Sequence, residues 1–276
     1  ESLSGRVLEH YLPPLRFGEF LELSGRPAAA PPKNDIFKMK RPEPEDLSAF
    51  LAKGSFPQTV GMGLEDAHKY IRSATIEKIV FDDIPMIFKI EHPAKLYDLL
   101  RLCATNSGRL FTEVNLAEAL QMSRHAVSDY MLYLKKAYLL DVIYPEGSLQ
   151  KALKKQKKVF ARSSSVYHSI SENANEGQAA ETAVSDKLSA RKLHFYRDSQ
   201  QREIDFISDM PVEVKYQSTI TSSDLGNMLY YLKSKGVARG AVITKDLFDE
   251  KTVDGKKITF VKDLKQKIMR LRFLSI

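Results

Sequence analysis

The stretch EIDFISDMPVEVKYQ, residues 203 to 217, places Asp205, Glu213 and Lys215 among Ile204, Phe206, Ile207, Val212 and Val214. Taking a charge out of water is costly, so ionic groups inside apolar strands call for a purpose. Side chains of a strand alternate between faces, so Glu213 and Lys215 share one side while Val212, Val214 and Tyr216 take the other. If residues 202–208 form the neighbouring strand, Asp205 stands beside Glu213, and two adjacent carboxylates repel unless a cation separates them. Mg2+ (or Mn2+) meets that need, because such hard cations take one or two carboxylates plus water and substrate phosphate. A metal held by Asp205 and Glu213 would lower the pKa of bound water and neutralise charge developing on a phosphodiester. Lys215 would orient or help deprotonate that water and hold a phosphate oxygen. The competing reading is a salt-bridge array on an exposed sheet face.

A fourth group is Glu181 in GQAAETAV, where Ala179, Ala180, Ala183 and Val184 make a helix face small enough to approach a sheet closely. An ordinary helix acid favoured by the dipole is the alternative. The elements that must position these groups follow from periodicity. A helix over 175–190 precedes three strands (KLHFYRD, REIDFIS, PVEVKYQ), a helix over 222–236 and the strand RGAVITK. The predicted order is α-β-β-β-α-β, an α/β (α+β) class, extended by the strand KITFVKD and a closing helix LKQKIMRLRF.

Upstream, apolar residues at helical spacing (Leu96, Leu99, Leu100, Cys103) end at Asn106-Ser107-Gly108, EVNLAEAL makes a short helix, QMS turns the chain, and RHAVSDYMLYLKKAYLL makes a third helix. Three helices with a tight turn before the third resemble a helix-turn-helix, and LLDVIYP with KKVFAR supplies two wing strands. On the third helix Arg124, His125 and Ser128 would face a nucleic-acid groove. Between the wing strands Lys151, Lys154, Lys155, Lys157 and Lys158 fall within eight positions and would attract phosphates. A solvated loop, and a winged helix that contacts only protein, are the alternatives.

The chain has 276 residues, 43% of them hydrophobic, enough for two or three compact units. Its formal charge of +7 suits a polyanion, DNA in the first instance. One cysteine permits no internal disulfide and no cysteine-based zinc site, in keeping with a reducing cytoplasm. The six histidines show no paired metal spacing, and no apolar run approaches the ~18 residues of a membrane span. The predicted organisation is the remnant of another module and its linker over 1–30, a helical connector over 31–93, a winged-helix-like unit over 94–162 and the acid-bearing unit over 163–276. A homo-oligomer is compatible with this organisation.

The residues D-F-I-S-D-M-P-V-E-V-K from Asp205 to Lys215, preceded by a helix bearing Glu181, resemble the PD-(D/E)XK nuclease signature, and the order of elements agrees. That resemblance implies Mg2+-dependent phosphodiester cleavage, with Asp205 and Glu213 as metal ligands, Lys215 catalytic and Glu181 an auxiliary acid. More widely, SLSGRVLEHYLPPLRFGEFLEL, KGSFP, YIRSATIEKIVFDDI, KKVFARSSSVYHSI, GQAAETAV, FYRD and EIDF…VEVK are similar, in order, to the C-terminal part of a prokaryotic AAA-type ATPase family. This implies a winged helix and nuclease-like domain linked to an ATPase. The chain departs from the family at Ala161-Arg162-Ser163, where an acid is usual. It also contains no G-x-x-x-x-G-K-[ST] phosphate loop, so ATP belongs only to a module outside this sequence. KIVFDDI, which imitates a nucleotide-site strand, reads as structural. The expected function is thus a metal-dependent nucleic-acid phosphodiesterase guided by a winged helix. A catalytically silent DNA-binding or regulatory assembly module on the same scaffold is the alternative.

Overall fold

The computed structural model describes residues 12–26, 44–148, 150, 156–189, 191–245, 247 and 249–262. Lys151, Lys154 and Lys155, most of the Pro/Ala-rich linker and the expected closing helix lie outside them. Short helices α1 (Phe17–Leu23) and α2 (Pro44–Lys53) lead into a helical rod. The rod begins as α3 (Leu64–Lys69), winds wider through π-type segments Tyr70–Glu77 and Ile79–Asp83, and ends as α4 (Ile84–Phe88). KIVFDDI is therefore helical.

Next come α5 (Pro93–Thr105), β1 (Leu110–Phe111), α6 (Glu113–Leu120), α7 (Arg124–Lys136), β2 (Leu140–Pro145) and β3 (Lys157–Ala161). The acid-bearing half adds α8 (Ser164–Ile170), α9 (Glu176–Leu188), β4 (His194–Arg197), β5 (Glu203–Ile207), β6 (Pro211–Lys215), α10 (Gly226–Ser234), β7 (Arg239–Thr244), β8 (Asp249–Val253) and β9 (Lys256–Lys262). Helix starts are written locally. Thr112, Ser123, Ser163 and Asn175 each accept a hydrogen bond from the backbone N–H three residues on, at 3.1, 3.1, 3.2 and 2.9 Å. Such caps are worth about 1 kcal/mol each.

The strands form one mixed sheet in the order β1-β3-β2-β4-β5-β6-β7-β9-β8. The hairpin β2/β3 joins the acid-bearing half through a parallel pairing of β2 with β4, Tyr144 to His194 and Pro145 to Phe195. The expected boundary at 162/163 falls between β3 and α8, yet sheet and core both run across it. One apolar cluster extends from Phe17 and Phe50 through Leu99, Val127 and Phe160 to Phe206, Val212 and Val261. A smaller cluster packs Met228, Tyr231 and Leu232 of α10 against Ile204, Val242 and Ile258. Covering both faces of the central strands makes any charge within them expensive, which is what the charge-bearing strands of the sequence implied.

Candidate functional site

Three elements converge on one point. On α9, Ala179 and Ala180 are fully buried, so the helix lies close enough to the sheet for Glu181 to reach over it. The neighbouring Thr182 hydroxyl lies 2.7 Å from that of Ser107, which also accepts from Ala161 N–H at 3.1 Å. Gln178 Nε2 donates to Ser107 O at 3.1 Å. These bonds clamp α9 onto the turn after α5. In that turn Gly108 has φ +84°, and a Cβ there would lie 2.7 Å from Glu181 Oε2. Only glycine supplies both the left-handed backbone and the space.

On β5 the register carries a bulge. His194 pairs with Ile207 and Tyr196 with Ile204, so Asp205 and Phe206 together oppose Phe195. A bulge bends its strand and re-aims side chains. The Asp205 carboxylate turns sideways: its Oδ2 accepts from Val214 N–H at 2.9 Å, just past the last β5/β6 pair, Phe206 with Val212. Glu213 and Lys215 follow on β6, with Lys215 Nζ 2.9 Å from Glu213 Oε1. Glu181, Asp205, Glu213 and Lys215, predicted from sequence as one group, are therefore brought together.

The cation among the carboxylates is an ammonium. Lys158, 2% exposed on β3, places Nζ 2.7 Å from Glu203 Oε1, 3.1 Å from Asp205 Oδ1 and 3.2 Å from Glu181 Oε1. Sequence reading put Lys158 on a phosphate-seeking wing loop. It is instead the second residue of β3, buried with its ammonium turned to these carboxylates and not displayed on a loop. Lys157 is likewise in the strand, 2.6 Å from Glu113 Oε1. Arg124 and His125 lie at the exposed start of α7, paired with Glu113 and Asp129 at 3.3 and 3.5 Å, and Ser128 is exposed beside them. They are far from the acidic centre in sequence and on a different element. Sequence reasoning missed Lys158 as a centre residue, Glu203, whose Oε2 accepts from Arg197 at 2.6 Å, and Gly108.

Electrostatics follow from the count. Four carboxylates (Glu181, Glu203, Asp205, Glu213) face three cations (Lys158, Arg197, Lys215), a formal excess of one negative charge if all are ionised. Burial, then the Asp205 carboxylate, pushes Glu181 up to about 8 against the pull of Lys158. Burial and Asp205 likewise push Glu213 up to about 7 against Lys215. One proton shared by the set relieves the excess. Burial opposes the charge on Lys158, but Asp205, Glu181 and Glu203 outweigh it and hold the ammonium above its usual range. For Lys215 too, burial is outweighed by Glu213, which holds the ammonium above its usual range.

With Lys158 in this position the residues do not fit a divalent ion. Its ammonium fills the space between Asp205 and Glu181, and among the described residues no group of three or more His, Cys, Asp or Glu side chains is arranged to hold a metal. Glu213 Oε2 is buried with no hydrogen-bond partner among the described residues.

The class defined by fold and site is a mixed α/β protein with a buried, lysine-centred acidic cluster. Residues 44–177 match the model of a domain of unknown function, DUF8612, and residues 176–264 that of another, DUF4143. The second is a domain found in AAA-ATPase-associated proteins. An uncharacterized protein of Methanocaldococcus jannaschii is 29% identical over 120 residues, which cover 42% of this chain and 24% of that protein. The chain thus spans about a quarter of the relative it matches. No solved structure matches. Among the described residues no helix is long and apolar enough to cross a membrane.

Proposed function

We propose that the chain is a nucleic-acid-binding module of an ATPase-linked protein, with DNA as its ligand. In this reading a winged helix makes the contacts and a PD-(D/E)XK-like sheet serves as a catalytically silent scaffold. The observation that carries it is Lys158 Nζ among Glu181, Glu203 and Asp205, where a cleaving enzyme of this kind would need a metal. The order α5-β1-α6-α7-β2-β3, with β3 between β1 and β2, supports the winged-helix assignment. The run α9-β4-β5-β6-α10-β7, with β6 and β7 parallel, supports the nuclease-like one. The second matching domain supports the link to an ATPase.

One observation favours the phosphodiesterase reading: the unpartnered, buried Glu213 Oε2. A single assay separates the two. Labelled single-stranded, duplex and branched DNA are incubated with the chain and with Asp205→Asn and Lys215→Ala, each with Mg2+ or Mn2+. The expected result is salt-sensitive binding, no cutting, and binding in Asp205→Asn equal to the wild type. Metal-dependent cutting that disappears in both variants would overturn the scaffold reading and make the acidic centre a nuclease site.

A further inference from the structure

The β2/β4 junction opens on one side. The two strands pair at Tyr144/His194 and Pro145/Phe195, so among the described residues Leu140 to Ile143 of β2 have no strand partner on their β4 side. The gap is an open cleft of about 620 Å³ that shares no lining residue with the acidic centre. Its lining contains Lys135, Arg162, Arg191 and Lys192 against one acid, Asp141. Arg162 forms the floor, 3.2 Å from Asp141 Oδ2 and 3.1 Å from Ser189 Oγ, with Asp186 behind it at 3.6 Å. Arg191 pairs with Asp209. Counting both rear acids leaves four cations against three carboxylates, and Lys192 is exposed, with no ion-pair partner among the described residues.

At the rim stands Tyr138, 58% exposed, its ring centroid 5.9 Å from Arg162 Cζ. Its φ is +56°, a left-handed conformation that a bulky residue adopts only at a cost. The usual occupant of such a turn is Gly or Asn, yet here an aromatic ring is displayed to solvent. In the wall, His194 Nδ1 is buried without a hydrogen-bond partner among the described residues. An exposed ring beside a cationic groove is the arrangement that stacks a base and tracks its phosphates. The cleft also continues from α7. Arg124, Ser128 and Lys135 share one helix stripe, and Tyr138 follows the helix end, roughly 20 Å along from Arg124 at 1.5 Å per residue.

We propose that this cleft takes an unpaired nucleotide of a nucleic-acid strand running along α7, with its base on Tyr138 and its phosphate near Lys192 and Arg162. The proposal rests on the nucleic-acid reading above and adds the strand's path and its single-stranded character.

The test is fluorescence anisotropy of labelled single-stranded and duplex oligonucleotides at several salt concentrations. Tyr138→Asn keeps a residue that tolerates the left-handed turn while removing the ring; Tyr138→Phe keeps the ring; Lys192→Glu reverses an exposed charge. The first should weaken single-strand binding about tenfold and leave duplex binding unchanged, with Tyr138→Phe retaining wild-type affinity. Lys192→Glu should weaken single-strand binding and flatten its salt dependence. If all three variants bind as the wild type while Arg124→Ala/His125→Ala loses affinity, the cleft proposal is overturned and the nucleic-acid reading stands. If the wild type binds no oligonucleotide, both fall together.

Discussion

Replacing Lys158 by Met removes the cation around which the acidic centre is built and keeps an unbranched side chain of similar length. The ammonium is 2% exposed and contacts three carboxylates within 3.2 Å. Removing one partner of a buried ionic network leaves the others uncompensated, at about 3–5 kcal/mol. For a chain of this size that corresponds to a fall in Tm on the order of 10 °C. The loss should also depend on pH. At pH 5, below the raised values of about 8 for Glu181 and about 7 for Glu213, both carboxyls are largely neutral and Lys158 has fewer anions to balance. At pH 9 they are charged, and its removal is felt in full. Urea unfolding of wild type and Lys158→Met at pH 5, 7 and 9 measures this directly. A loss below about 1 kcal/mol, or one that does not grow with pH, would refute the reasoning, because it would mean that the ammonium is not the centre's counter-charge.

Three further outcomes follow from the same geometry. Gly108→Ala should cost about 2 kcal/mol or more in urea unfolding, since it combines left-handed strain with a collision at Glu181. Gly61→Ala, at φ +87° with nothing within 4 Å, should cost only about 1 kcal/mol. The folded-state pKa values of Glu181 and Glu213 lie above the ordinary 4.5, so the folded state binds more protons than the unfolded one. Their contribution to stability is therefore complete below about pH 4.5 and is lost as pH rises through about 7 to 8. Glu181→Gln should flatten that slope in a pH series of thermal melts. Burial pushes the Cys103 thiol up to about 12, so a thiol reagent should leave the native chain unmodified and react at once in 6 M guanidinium.

Much of the fold is legible in the amino-acid order because it is written in local signals. Periodicity of 3.6 marks α5, α7 and α9, Pro93 opens the first and the caps Ser123 and Asn175 start the other two, and alternation marks β5 and β6. The co-location of Glu181, Asp205, Glu213 and Lys215 is legible too, since charge inside apolar strands has few explanations. Other features have no local signature. β1 is two residues long, and the β2/β4 pairing that makes one sheet of two expected units joins residues fifty positions apart. The bulge at Asp205 is a property of register between strands, not of either strand.

Lys158 states the difference most sharply. By itself the sequence determined that the strands carry acids needing a cation, and it offered a lysine-rich stretch ending at that residue. A charge run reads as solvated because its neighbours in the chain are charged. Only the tertiary structure set Lys158 between β1 and β2 in the sheet and beneath α9, where desolvation would expel an ammonium were three carboxylates not within 3.2 Å to hold it.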